Sequence, residues 1–140
     1  MYTGLLNEAY QAAIAAADPL RCLGPQHLPP RPKGRTLVVG AGKAAASMAK
    51  AVEMLWPKDA PLEGLVITRY AHGLPLERLR CIEAGHPVPD EAGQEAAQTI
   101  AQKVGQLTPD DQLLVLVSGG GSSLLALPAP GLSMDDLRAL

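Results

Sequence analysis

Lys43 follows Gly40-Ala41-Gly42 directly, and that succession of residue types can hold an anion. Glycines let a backbone turn tightly and bring its N–H groups close to a ligand. At a helix start those N–H groups lack intrahelical acceptors, and the helix dipole is positive there. A lysine in such a first turn is disfavoured by about 0.3–1 kcal/mol, and a bound phosphate or carboxylate reverses the sign. The alternative is a lysine whose charge water screens. A β-rich run, Thr36 to Val39, leads into the glycines. Its carboxyl end favours the anion, because ligands in open parallel sheets gather there.

Ser118-Gly119-Gly120-Gly121-Ser122-Ser123 is the second such stretch. Three glycine amides and the hydroxyls of Ser118 and Ser122 suit phosphate or carboxylate oxygens. A flexible turn is the competing reading. The stretch is no nucleophile elbow, because Leu124 stands where a G-x-S-x-G around Ser122 needs glycine. His86, in Gly85-His86-Pro87-Val88-Pro89-Asp90, and His72, in Tyr70-Ala71-His72-Gly73, could move a proton or donate to a substrate. Their spacing equally describes loops set by prolines and a cap. His27 carries no assignment. No set of His, Cys, Asp and Glu has metal-ligand spacing.

Two familiar phosphate motifs can be tested on the first turn. A Walker A loop fails, because Lys43 precedes Ala44 rather than Ser or Thr. The dinucleotide pattern is met by Gly40, Gly42 and Ala45. The next strand, however, ends in Thr68-Arg69 with no acid for a ribose diol. Only an NADP form, with Arg69 on the 2′-phosphate, survives.

The elements that position these residues follow from the hydrophobic rhythm. Leu5 to Ala17 predicts a helix with Leu6, Ala9, Ala13 and Ala17 on one stripe, ended by Asp18-Pro19. Residues 24–34, with Pro25, Pro29, Pro30 and Pro32 between Gly24 and Gly34, read as a loop. Strands are expected at Thr36–Val39, Leu65–Thr68 and, more weakly, Leu79–Glu83. Helices are expected from Lys43 to Trp56 and from an Asp90 cap to about Gly105. Leu113–Val117 is an unbroken aliphatic run of the kind buried on both faces of a parallel sheet. Ser133-Met134-Asp135-Asp136 resembles a capping box. Strands alternating with helices point to a Rossmann-like α/β fold, a parallel-rich sheet flanked by helices. Both glycine loops should then open at one edge of the sheet. The capped helix at Ser133 is met by the last residue, Leu140, so residues 1–140 are expected to be an incomplete domain with an apolar surface near Leu124, Leu125 and Leu127.

Composition excludes several functions. Phenylalanine is absent and the aromatics are Tyr2, Tyr10, Trp56 and Tyr70, which leaves no platform for stacking bases. A net charge of -2 gives no footprint for nucleic acid. The apolar runs are too short to span a bilayer, and no leader pattern opens the chain, so a cytoplasmic location is expected. Cys22 and Cys81 read as reduced, isolated thiols.

The Gly40–Ala45 turn, Tyr70–Gly73, Glu83–Asp90 and Ser118–Ser123, in this order, resemble the glycerate 2-kinase family. Its members are also labelled hydroxypyruvate reductase and carry a MOFRL domain at the carboxyl end. The resemblance covers the chain from about Leu5 onward. It implies phosphorylation of D-glycerate by ATP with Mg2+, giving 2-phosphoglycerate. Lys43 matches the family's active-site lysine, and Ser118–Ser123 its glycine-rich ligand loop, with Gly40, Gly42, Ser118, Gly119, Gly120, Gly121 and Ser122 as nucleotide-binding residues. Family members are longer, so these residues are expected to be an amino-terminal portion, inactive alone. Two other readings compete: an NADP-dependent hydroxypyruvate reductase, and a non-catalytic fragment that binds anions and dimerises through an uncovered face.

Overall fold

The computed structural model describes residues 2–120 and 122–139. Four parallel strands make one sheet: β1 (Thr36–Ala41), β2 (Leu62–Arg69), β3 (Arg80–Ala84) and β4 (Gln112–Val117), in the order β3-β2-β1-β4. Successive strand side chains point to opposite faces, so central strands must be apolar on both. β1 meets that requirement. Val38 faces a core formed with helix α3 (Ala45–Leu55), through Ala49, Val52 and Val66. Leu37 and Val39 face the other core, formed with helix α4 (Glu91–Val104) through Ala96 and Ile100. Each fully buried Val or Leu contributes about 1.5–3 kcal/mol. Alanines on α3 let that helix lie close to the sheet.

The chain runs from β1 through α3 to its neighbour β2, then to β3, and returns through α4 to β4 on the far side of β1. The direction of winding therefore reverses between β1 and β4. α4 starts where the expected cap sits: the Asp90 side chain accepts from the Gly93 amide at 3.0 Å. Ser133 and Asp136 form the expected capping box of a short helix, α5 (Met134–Arg138).

Some expectations are corrected. Leu113–Val117 is not buried on both faces. β4 is an edge strand, and Leu113, Val115 and Val117 are 40%, 52% and 54% exposed on the side that α4 leaves uncovered. Unbroken hydrophobicity reports the residues, not whether a neighbour covers them. The amino-terminal helix α1 (Tyr2–Ala17) buries none of its residues, so its alanine stripe meets no core. Leu124 is fully buried rather than part of an exposed patch, whereas Leu125 and Leu127 are exposed. The α3 helix begins at Ala45, which leaves Lys43 in the turn before it. Asp18-Pro19 ends α1 but also opens a four-residue helix, α2 (Pro19–Cys22), and residues 24–34 include one 3-10 turn, Pro25–His27. Cys22 and Cys81 are free. No described helix is long and apolar enough to cross a membrane.

Candidate functional site

The reversal between β1 and β4 matters because parallel sheets open a crevice at such a point, outside the strands' carboxyl ends. Both glycine stretches leave the sheet there. β1 and β4 are in register from Thr36–Gln112 to Ala41–Val117, so the two loops start side by side.

They are also joined. The Ala44 amide donates to the Ser118 hydroxyl at 3.1 Å, which caps the start of α3 from the other loop. The Ser118 amide donates to the Ala41 carbonyl at 3.3 Å. Space explains Gly42: it has φ +131°, and a Cβ there would stand 2.6 Å from Ser118 Cβ. Gly119 and Gly120 have φ +84° and +110° with open space around them, so backbone shape, not crowding, calls for glycine. The Ser122 hydroxyl accepts the Leu124 amide at 3.2 Å, and buried Leu124 pins the end of the loop. Gly121 lies outside the described residues. A cleft of about 510 Å3 opens between Gly40 and Ala41 on one side and Gly120 and Ser122 on the other, floored by Val115 and Val117.

Lys43 sits in the turn between Gly42 and α3, with its side chain exposed. Among the described residues no carboxylate lies within 4.0 Å of its ammonium. Its carbonyl accepts from the buried Thr68 hydroxyl at 3.4 Å, and the Gly42 amide reaches the Ile67 carbonyl at 3.1 Å. β2 thus fixes the turn from the other side. An exposed, unneutralised cation beside left-handed glycines, at the winding reversal, is a place for phosphate or carboxylate oxygens.

The remaining motifs support this edge of the sheet. Glu83 accepts the amides of His72 and Gly73, at 3.1 and 2.7 Å, and so shapes the turn after β2. Burial alone would raise the Asp90 carboxyl, but the Gly85 amide, the Tyr70 hydroxyl and the Gly93 amide outweigh it and hold it below the usual range. The same hydrogen bond to Asp90, 2.7 Å long, pushes the Tyr70 phenol up. Arg69 bonds within its own turn, its Nε donating to His72 Nε2 at 2.9 Å. His27 Nδ1 accepts the Gly24 amide at 3.0 Å and serves only its own turn. His86 Nδ1 lies 3.1 Å from Ser123 Oγ. Sequence reasoning missed the roles of Glu83, Thr68 and Ser123. A polar residue at a strand end or after a glycine run is their only signal, and it does not say which loop lies opposite.

Comparison with known proteins adds the family. Residues 5–140 match a family described as a domain of unknown function, DUF4147. A protein of Agrobacterium vitis, provisionally named hydroxypyruvate reductase, is 48% identical over 136 residues, 97% of this chain and 31% of that protein. The D-glycerate 2-kinase of Thermotoga maritima is 39% identical over 138 residues, 97% of this chain and 32% of the relative. A crystal structure of a glycerate kinase from Thermotoga maritima superposes with a TM-score of 0.82 at 36% identity, covering 97% of this chain and 33% of that one. The chain spans about a third of the length of these relatives.

Proposed function

Because the chain belongs to the DUF4147 family, together with proteins named glycerate 2-kinase, we propose that it serves ATP-dependent phosphorylation of D-glycerate at the 2-hydroxyl, giving 2-phosphoglycerate. The observation that carries this reading is the junction of the two glycine loops beside Lys43, closed by the 3.1 Å bond from Ala44 to Ser118. Phosphoryl transfer asks a protein chiefly for positioning and for positive charge around the moving group. Lys43, the amides of Gly119 and Gly120, and the hydroxyls of Ser118 and Ser122 are groups of that kind, whereas the Gly42 amide is taken by Ile67 and Gly40 and Gly42 serve by letting β1 and its turn lie against β4 and Ser118. With the chain spanning a third of its relatives, we assign to it the phosphate-holding part of the site. Self-contained turnover is not assigned to these residues.

Mg2+ accompanies ATP in such chemistry. Among the described residues no group of three or more His, Cys, Asp and Glu could hold a metal. No residue here is assigned to the ion.

The reductase reading draws on the Agrobacterium vitis relative's name and on the pattern Gly40, Gly42, Ala45. Against it, β2 ends in Thr68-Arg69 with no acid for a ribose diol. Incubating the full-length protein with D-glycerate and ATP–Mg2+, or with hydroxypyruvate and NADPH, separates the two. The expected result is 2-phosphoglycerate from the first mixture and no NADPH oxidation in the second. The reverse outcome establishes the reductase, and phosphate binding without turnover in either leaves an anion-binding module.

A further inference from the structure

The glycine loop has a second end that the phosphate site does not use. It starts at Ser118, against the Lys43 turn, and closes at Ser123, whose Oγ lies 3.1 Å from His86 Nδ1. His86 belongs to the loop after β3. This contact therefore ties together the connections leaving the two opposite edges of the sheet.

Both partners are anchored. On the His86 side, Asp90 receives the Gly85 and Gly93 amides and the Tyr70 hydroxyl. On the Ser123 side, Leu124 is fully buried against the α4 core, and its amide is taken by Ser122. Two polar groups fixed in this way meet the first requirement of a recognition site, a first shell held by its surroundings.

The chemistry and the reach both suit a small acid. Among the described residues His86 Nε2 has no protein partner, since the imidazole's bond runs from Nδ1. Ser123 also lines a cleft of about 500 Å3, at whose wall the Arg138 guanidinium is already held by Asp135 and the Pro89 carbonyl. A hydroxyl and an imidazole both serve oxyanions and neighbouring hydroxyls. Five Cα–Cα steps separate Ser118 from Ser123, so their Cα atoms stand at most about 18 Å apart. A terminal phosphate at Lys43 and a three-carbon acid at the far end of the same loop fit within that reach.

We propose that His86 and Ser123 form the acceptor end of the site and take a small 2-hydroxycarboxylate by its oxygens. The proposal rests on the phosphoryl-transfer reading above and assigns that reading's second substrate to its own residues. His86→Gln and Ser123→Ala in the full-length protein test it, with thermal melts alongside the kinetics. Each variant should raise KM for D-glycerate at least ~10-fold, as for loss of one hydrogen bond to a charged group. KM for ATP should not move. An unchanged KM for D-glycerate in both variants overturns the subsite and leaves the kinase reading standing. A parallel rise in KM for ATP also overturns it, because the pair would then support the whole site. A wild-type protein that makes no 2-phosphoglycerate removes the kinase reading, and the subsite with it. Should His86→Gln fail to fold, Ser123→Ala, which deletes a single oxygen, decides.

Discussion

Lys43 is a cation placed beside the two joined glycine loops, and its exposure separates its chemistry from its packing. If it holds oxygens of the transferred phosphoryl group, its charge counts most in the transition state. Lys43→Ala in the full-length protein should lower kcat/KM for D-glycerate by at least ~100-fold, or about 2.7 kcal/mol, the lower end for removing one preorganised oxyanion stabiliser. The melting temperature should stay put. Lys43→Arg should rescue poorly, since a planar fork does not replace a compact ammonium beside a tight turn. Near-normal phosphorylation by Lys43→Ala would leave the anion site resting on backbone amides alone. Glu53 presents the opposite case, a buried charge with a structural task. Its carboxylate accepts the amides of Glu77, Arg78 and Leu79. Burial would raise its pKa, but the Leu79, Arg78 and Glu77 amides, aided by Lys50, outweigh that and lower it. A lowered folded-state pKa means stability that is present above the ordinary glutamate value, about 4.3, and lost as pH falls through the folded value. Glu53→Gln should cost about 1.5–3 kcal/mol at neutral pH, the range for hydrogen bonds to a charged group. It should also flatten the loss of stability below about pH 4.3. Denaturant melts of both proteins across that window check the sign.

Among the elements, the pairing of β1 with β2 tolerates least change. Gly64 faces Val38 in register, has φ +143°, and a Cβ there would lie 1.8 Å from the Val38 carbonyl oxygen. Strain of that kind alone costs of order 1–3 kcal/mol, and here backbone must also move. Gly64→Ala should therefore destabilise the fold by roughly 3 kcal/mol or more. Gly4→Ala, with open space on α1, should leave the melting temperature unchanged or slightly higher. Equal effects from the two substitutions would contradict the described pairing. The same elements show what the sequence carries by itself. β1, β2 and α4 were legible because each has a local signature: aliphatic runs at Thr36–Val39 and Leu65–Thr68, and the Asp90 cap. Gly64 was not singled out, since a glycine inside a strand pattern signals close approach without naming the neighbour. The site divides along the same line. Gly40, Gly42, Lys43 and Ser118 could be read from motif and strand end. The His86–Ser123 contact spans 37 residues of sequence, and only the strand order brings its two loops together.

For the molecule as a whole, the strand order β3-β2-β1-β4 has two consequences. It puts the winding reversal, and hence the crevice, between the glycine loops. It also leaves β4 at the edge, where Leu113, Val115 and Val117 present an apolar row and Leu125 and Leu127 extend it. Exposed apolar edge strands are templates for pairing with another chain, and contiguous apolar surface adds to the driving force. The 140-residue chain should therefore self-associate as its concentration rises, in a way that sedimentation velocity resolves. Val115→Lys should shift the distribution toward monomer, because an ammonium on that row opposes burial against a second apolar surface. Stability should change little, since the Val115 side chain already meets solvent on one side. Met54 supplies the control: it is 69% exposed on α3, on the opposite face of the sheet. Met54→Lys adds the same charge and removes a similar apolar side chain, so it should leave association where it was. Equal effects of the two substitutions would mean that net charge governs association. A wild-type chain that stays monomeric at high concentration would show that the β4 row does not act as an interface on its own.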